Sequence, residues 1–382
     1  MHRDSGAALY EFFAGGGFAR LGLEPSFRCV LANDFSPAKA RAYRAAFGGD
    51  HLSEADVWSL TPADLPGTAA LAWASFPCQD VSLAGGRAGL DGARSGAIWG
   101  FLNIISALDA EGRAPETLAL ENVTGLLTSN GGADFAALIE ALAARCYKVG
   151  ALEIDAALFV PQSRPRLFVI ATRSKPDSDL VSAAPSAPFH SPGLIAAAER
   201  LPLHVRAAWQ WWRLPTPPAR NTALIDLLDK NAPLDDEEKT RRLLAMMTPL
   251  QRARVLEMQR ASKNDDGRKY AGALFRRIRI EDGVRVQRAE ARFDGVAGCL
   301  RTPAGGSSRQ TVLIIQDGKV RSRLISPREA ARLMGVPDEY PLPARTNEAL
   351  HLFGDGVCVS VVRWLSDHLL APLAGVRLSE AA

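Results

Sequence analysis

Between Ala7 and Ala171 short apolar runs alternate with helix-like stretches, and most of the runs stop at a residue able to do chemistry. Apolar runs of this length read as strands buried on both faces. Their alternation with helices predicts an α/β fold built on a doubly wound, mostly parallel sheet. In such sheets ligands sit beyond the carboxyl ends of the strands, so the residues that end each run become the candidates for function.

The first run, Ala7 to Phe13, leads through Ala14-Gly15-Gly16-Gly17 into a predicted helix carrying Phe18, Leu21 and Leu23. Glycines there allow a tight structural turn, or let a ligand approach the backbone closely at a helix start. A dinucleotide fingerprint counted from Gly15 and Gly17 needs a small residue where Arg20 stands, which argues against a nicotinamide or flavin enzyme. The second run, Phe27 to Asn33, ends in Asp34, an acid placed to accept hydrogen bonds from ribose hydroxyls, and Phe35 beside it offers a ring for an adenine. A helix over Pro37 to Phe47 follows with Ser36 as N-cap. A third short unit closes at Asp56-Val57.

The run from Leu71 to Phe76 stops at Pro77-Cys78-Gln79, which puts a single thiol at a strand end. A lone cysteine is also well explained as a small buried hydrophobe. The glycine-rich stretch from Ala84 to Gly92, with Arg87 inside it, reads as a mobile loop able to act as a lid. Next come a helix over Ser95 to Leu108, a strand Thr117 to Leu120 ending in Glu121-Asn122-Val123, and a helix from Ala133 to Cys146. Strands near Val149 to Ile154 and Arg166 to Ala171 complete the series, with Gln162, Arg164 and Arg166 at the start of the last. A thiol, a carboxyl group and a guanidinium on successive strand ends form a candidate nucleophile, acid and charge stabiliser. Outside that combination, Glu121 reads better as a sheet-end acid paired with an arginine and Arg166 as a strand-edge solubilising charge.

At 382 residues the chain exceeds a single core, so two lobes are expected. We expect residues 1–185 and 330–382 to form the catalytic lobe and 186–329 a second, smaller lobe, with Ser174 to Pro192 as a linker. The second lobe is where the charge lies. From Arg241 to Gly298 fourteen Lys or Arg face seven Asp or Glu, a net of +7 in a chain of net +3, so the remainder is −4. That concentration fits a nucleic-acid surface or the solvated face of an amphipathic helix predicted over Leu243 to Gln259. Only eight of the 45 basic residues are lysine, a bias toward fixed bidentate contacts with phosphates and base edges. Ser326-Pro327-Arg328-Glu329 fits a capped helix start.

The five cysteines are scattered without metal-ligand spacing, so neither a disulfide framework nor a metal site is expected, and a reducing cytoplasm is. No run approaches a membrane span and no signal peptide is evident, so no membrane partner is expected.

Taken together these strings resemble the DNA (cytosine-5) methyltransferases, in the family's order, from residue 8 to about 370. Phe13-Ala14-Gly15-Gly16-Gly17 is similar to that family's S-adenosylmethionine turn, though one residue tighter, and Asp34 to its ribose-binding acid with Phe35 adjacent. Asp56-Val57 fits the acid near the adenine. Phe76-Pro77-Cys78-Gln79 resembles the nucleophile loop, Glu121-Asn122-Val123 the acidic tripeptide, and Gln162-x-Arg164-x-Arg166 the arginine motif. Arg301-Thr302 resembles the support of the recognition lobe, and Gly354-Asp355-Gly356-Val357 the late turn of the cofactor pocket, with Asp355 and Gly356 where Asn and a small residue are usual.

The resemblance implies an S-adenosylmethionine-dependent enzyme acting on double-stranded DNA as a monomer, with a cognate restriction endonuclease as a further partner. It implies that Cys78 attacks C6 of a flipped-out cytosine, Glu121 protonates N3, and Arg166 and Arg164 stabilise the ring oxygen. The cofactor would meet Phe13 to Gly17, Asp34, Phe35, Asp56, Val57, Pro77 and Asp355 to Val357. Gln79, Ser82, Arg87, Asn122, Arg301 and Thr302 would serve the DNA or the loop. The rival expectations are an RNA (tRNA) cytosine-5 methyltransferase of the same fold and a catalytically silent DNA-binding relative.

Overall fold

The computed structural model describes residues 6–77, 96–264, 268–303 and 309–376. The chain divides into two compact units. One comprises Met1–Asp155, Pro165–Pro218 and Gly356–Ala382, and the other Ala156–Arg164 and Ala219–Asp355.

The first unit is built on seven strands: β1 (Ala7–Phe12), β2 (Phe27–Asn33), β3 (Leu52–Ser53), β4 (Leu71–Ala74), β5 (Thr117–Asn122), β6 (Lys148–Asp155) and β7 (Pro165–Thr172). They lie in the order β3-β2-β1-β4-β5-β7-β6. All neighbours from β3 to β5 are parallel, while β7 runs antiparallel to both β5 and β6. The mostly parallel α/β sheet expected from the sequence is therefore present. The reason for the one reversed strand is chain length. Only residues 156–164 separate β6 from β7, fewer than a parallel crossover needs. Because the chain moves outward from β1 in one direction and restarts at β4 in the other, the order reverses between β1 and β4. The crevice that such a reversal opens lies at the carboxyl ends of these two strands.

Helices α1 (Phe18–Leu23), α2 (Pro37–Phe47), α3 (Ala97–Ala110) and α4 (Ala133–Ala143) connect the strands. On one face of the sheet Ile98, Phe101, Leu102 and Ile105 of α3 and Leu138, Ile139 and Leu142 of α4 share a core with Tyr10, Phe12, Leu118, Leu120 and Val169. Phe12 and Phe101 meet edge to face with ring centres 5.0 Å apart. The stretch expected as a linker contributes structure of its own: Val181–Ser182 (β8) pairs antiparallel with Trp211–Trp212 (β9). Short helices α5 (Pro192–Glu199) and α6 (Leu203–Arg206) lie between them.

Arg20, the residue that spoils a dinucleotide fingerprint, has a packing role. Its guanidinium lies 4.4 Å from the centre of the Phe47 ring, donates to Tyr43 Oη at 3.0 Å and pairs with Glu24 at 2.9 Å, tying α1 to α2. A long cationic side chain fills the gap that a small residue would leave for close packing.

The second unit holds a four-stranded antiparallel sheet of β10 (Tyr270–Glu281), β11 (Val284–Arg292), β12 (Thr311–Gln316) and β13 (Lys319–Leu324), ordered β11-β10-β12-β13. After the short α7 (Leu224–Leu227), the single helix expected across residues 243–259 is replaced by two, α8 (Glu237–Ala245) and α9 (Pro249–Asn264). Pro249 explains the break, because a proline starts a helix readily but cannot continue one. Leu243, Met247 and Val255 cover Leu274, Ala289, Ala291, Leu313 and Ile315.

The predicted cap of α10 (Pro327–Leu333) is present in full. Ser326 Oγ accepts from Glu329 N at 3.2 Å and Glu329 Oε2 accepts from Ser326 N at 2.7 Å. Arg323 joins the same carboxylate at 2.6 Å, so both charges are buried as a pair. α11 (Thr346–Asp355) closes this unit, and α12 (Val359–Leu365) packs on α1 in the first. No helix among the described residues is long and apolar enough to cross a membrane.

Candidate active site

The turn after β1 is shaped by backbone that few side chains tolerate. Phe13, Gly15 and Gly17 have φ of 56°, 57° and 73°, and the turn is anchored by Ala14 N donating to Asn33 O (2.9 Å) and Gly17 N to Ala14 O (2.8 Å). A Cβ on Gly17 would stand 2.3 Å from the Phe47 ring, so this position is closed to any other residue. A Cβ on Gly15 would meet no atom within 4 Å, so this part of the turn faces open space. Asp34, at the end of β2, accepts from Gly15 N and from Ser36 N, each at 2.9 Å. A carboxylate has capacity left after two such bonds, and these fix it beside the turn. Phe35 next to it is 67 % exposed, a large ring mostly open to solvent.

Asp56 caps the 3-10 turn Val57–Ser59, accepting from Trp58 N at 3.0 Å, while Val57 is buried beneath. Asn33, which the sequence reading passed over as the last strand residue, donates to Ser53 O and Ala55 O and so carries the approach to Asp56. Glu11 was also missed. It lies in β1 with no exposure, accepts from Arg20 N at 3.2 Å through Oε1, and has no hydrogen-bond partner at Oε2 among the described residues. Burial pushes its carboxyl up to about 8. An acid in an otherwise apolar run was the available signal.

At the neighbouring strand ends, β4 stops at Ala74 and the described chain continues through Ser75, buried Phe76 and Pro77. Cys78, Gln79, Ser82 and Arg87 lie outside the described residues. In β5 the pairing of Ala74 with Leu120 brings the residues after β4 level with Glu121 and Asn122. Asn122 Nδ2 donates to Phe76 O at 3.1 Å, and Asn122 Oδ1 accepts from Val123 N at 2.9 Å. Glu121 sits opposite Phe168 in the antiparallel pairing of β5 and β7, and Arg166 lies two residues from Phe168 on the same face. The two side chains consequently meet: Arg166 Nε is 3.2 Å from Glu121 Oε1, with both largely buried. The antiparallel strand is what brings the arginine to the end of β5.

Arg164, expected alongside Arg166, is in the second unit with 2 % exposure. Its guanidinium donates to Leu300 O at 3.0 Å and Gly354 O at 2.9 Å and approaches Cys299 Sγ at 3.2 Å. Gln162 in that unit bridges Leu300 N and Leu333 O. Gly354 lies against the Arg301–Thr302 backbone, where a Cβ would stand 2.5 Å from Thr302 N. Asp355 is exposed at the end of α11, and Val357 is buried in the first unit before α12.

A doubly wound sheet with a glycine turn, an acid and an exposed ring on one side of the switch point, and a Glu–Arg pair on the other, is the arrangement of an α/β enzyme that binds a nucleotide cofactor. The chain belongs to the C-5 cytosine-specific DNA methylase family, whose sequence pattern it matches over residues 7–370. It is a DNA cytosine-5 methyltransferase, and its methyl donor is S-adenosylmethionine. The type II methyltransferase M.NlaX of Neisseria lactamica is 27 % identical over 372 residues, covering 96 % of this chain and 97 % of that protein. The type II methyltransferase M.HhaI of Haemophilus parahaemolyticus is 23 % identical over 364 residues, 95 % and 94 % of the two chains. Among solved structures, the S. pombe Dnmt2 methyltransferase shares the fold with a TM-score of 0.58 at 16 % identity, over 94 % of this chain and 97 % of that one.

Proposed function

We propose that the chain methylates C5 of cytosine in a specific duplex DNA sequence by covalent catalysis, with Cys78 as nucleophile. C5 is a weak nucleophile because reaction there interrupts the aromatic ring. Addition of the Cys78 thiolate to C6 moves the ring electrons so that C5 becomes enamine-like, and Glu121 delivers a proton to N3 so that no net charge builds up on the ring. Arg166 interacts with the exocyclic oxygen and with Glu121, holding the carboxyl oriented. After methylation at C5, loss of the C5 proton to solvent restores the C5–C6 double bond and expels the Cys78 thiolate, and N3 returns its proton to Glu121, which leaves a neutral product ring. The target base must leave the duplex to reach these groups, at a cost of about a few kcal/mol.

S-adenosylmethionine supplies an electrophilic methyl carbon on its sulfonium. The first unit fits that molecule: the open space at Gly15 admits it, Asp34 has acceptor capacity for its ribose, and exposed Phe35 offers apolar surface for its adenine, with Asp56 and Val57 assigned to the rim. We assign Phe13, Ala14, Gly16, Gly17 and Pro77 to the same pocket, and Asp355, Gly356 and Val357 to its late turn. Gln79, Ser82 and Arg87 are assigned to the DNA and the nucleophile loop. Arg164, which donates through both terminal nitrogens to backbone carbonyl groups, is assigned to holding Leu300 and Gly354 behind Arg301 and Thr302. The second unit, with the +7 region, is assigned to duplex recognition.

The observation that carries this reading is the shared end of β4 and β5. Asn122 grips the carbonyl of Phe76, two residues before Cys78, while Glu121 beside it is already paired with Arg166. The test measures methyl transfer from labelled S-adenosylmethionine to duplex DNA and to tRNA, for the wild type and Cys78→Ala. The expected result is transfer to duplex DNA alone, abolished in Cys78→Ala with cofactor affinity retained. Full activity in that variant, or transfer to tRNA alone, would sink the proposal.

A further inference from the structure

We propose that the distal half of the β10–β11 ribbon enters the major groove of the substrate duplex and that Ile278, Ile280, Arg285 and Gln287 read its bases. This rests on the assignment of the second unit to duplex recognition. Strand β10 pairs with β12 only from Tyr270 to Leu274, whereas its pairing with β11 continues to Glu281 and Val284 around the two-residue turn Asp282-Gly283. Both turn residues have positive φ, 49° and 79°, the twist-matched geometry of a tight hairpin. The seven residues from Phe275 to Glu281 and their partners thus form a two-stranded ribbon that runs on for about 20 Å past the third strand. A major groove about 12 Å wide and about 8.5 Å deep admits a ribbon of this kind with length to spare.

The two faces of the ribbon differ in chemistry. On one, Arg277 and Arg279 pair with Glu290, and Arg288 pairs with Glu281, so its charges are largely matched within the protein. The register puts Ile278 opposite Gln287 and Ile280 opposite Arg285 on the other face. That face carries no acid. Ile278 is 56 % and Ile280 78 % exposed, and neither Arg285 nor Gln287 makes a side-chain hydrogen bond or ion pair among the described residues. Exposed isoleucines on a free ribbon are an aggregation liability unless something covers them. A protein surface would satisfy the isoleucines but gives no reason for an unmatched arginine in the most basic stretch of a DNA methylase. The major groove satisfies all four: thymine methyl groups for the isoleucines, a guanine edge for Arg285 and an adenine edge for Gln287.

The test compares wild type, Ile278→Ser/Ile280→Ser, Arg285→Ala and Gln287→Ala on a random-sequence duplex library, reading methylated cytosines with their flanking bases. Unfolding midpoints and S-adenosylmethionine affinity are recorded for each. The expected result is unchanged midpoints and cofactor affinity, with a fall of about tenfold or more in rate at the wild type's preferred sequence. Rates at other sequences stay near their original values, so preference flattens at one or two base positions. Unchanged preference in all three variants overturns the proposal, and so does an equal loss at every sequence, which marks phosphate contact without base reading. Self-association that disappears in the double serine variant, with methylation unchanged, assigns the face to a second copy and also overturns it. A wild type that leaves duplex DNA unmethylated overturns the duplex assignment itself, a result distinct from normal methylation by insensitive variants.

Discussion

The bond between Asn122 and the Phe76 carbonyl predicts a specific defect in Asn122→Asp. The replacement is isosteric, so packing at this buried position is kept, and the oxygen that accepts from Val123 N at 2.9 Å is retained. The donor is lost. An acceptor then faces the Phe76 carbonyl across the 3.1 Å that a hydrogen bond now spans. Leaving that buried carbonyl unmatched costs about 1–3 kcal/mol, and the ionised carboxylate adds repulsion from Glu121 next to it. The chain can relieve this by shifting the Phe76-Pro77 segment away from the end of β5. A displacement of about 1 Å at a reacting group costs about a hundredfold in rate. The expected outcome is a drop of that order in kcat for duplex DNA with the KM for S-adenosylmethionine within about twofold of wild type, since the cofactor turn is held by Asp34 and Asn33. Rapid-quench measurement of methyl transfer separates the chemical step from product release. Wild-type kcat in Asn122→Asp would falsify the claim that this bond positions the nucleophile.

Three further outcomes follow from the buried groups. Glu11, with its carboxyl raised by burial to about 8, is neutral in the folded protein over a range where the unfolded chain has already lost the proton, so stability falls as pH rises from about 4.5 to 8. Glu11→Gln is expected to flatten that decline in urea unfolding curves, and an unchanged pH profile would refute the assignment. Gly17→Ala combines a left-handed φ with a clash against Phe47, so a loss of about 2–5 kcal/mol in stability is expected by denaturant unfolding; a wild-type midpoint would contradict it. For Glu329 burial acts to raise the pKa, but bonds from Arg323, Ser326 and Asp229 outweigh it and hold the carboxyl below its ordinary value. Its contribution is present at neutral pH and lost as pH falls through and below the usual carboxylate range. Glu329→Gln should cost about 3–5 kcal/mol at pH 7 and much less in acid, a difference that calorimetry can read.

The sheet was legible because most of its strands are short, mainly apolar runs, and the cap at Ser326 because its partners are three residues apart. Glu121 and Arg166 could be nominated singly, but their meeting depends on β7 running antiparallel between β5 and β6, a non-local pairing that no local pattern encodes. The break at Pro249 was visible in the sequence and was outweighed there by the amphipathic pattern across it. Arg164 is separated from Arg166 by one residue, yet at the strand edge the two chains of contact diverge, one to Glu121 and the other to the carbonyls of Leu300 and Gly354. Asn33 and Glu11 act through backbone and burial, which leave only a polar letter in an apolar run.

The central claim is a sulfur–carbon bond between Cys78 and the target base, and duplex DNA carrying 5-fluorocytosine tests it directly, because fluorine at C5 cannot depart as a proton does. In the presence of S-adenosylmethionine the wild type should form a denaturation-resistant complex whose cross-linked peptide, read by mass spectrometry, contains Cys78, and Cys78→Ala should form none. A cross-link through another residue, or methyl transfer by the wild type with no adduct trapped, would contradict the account.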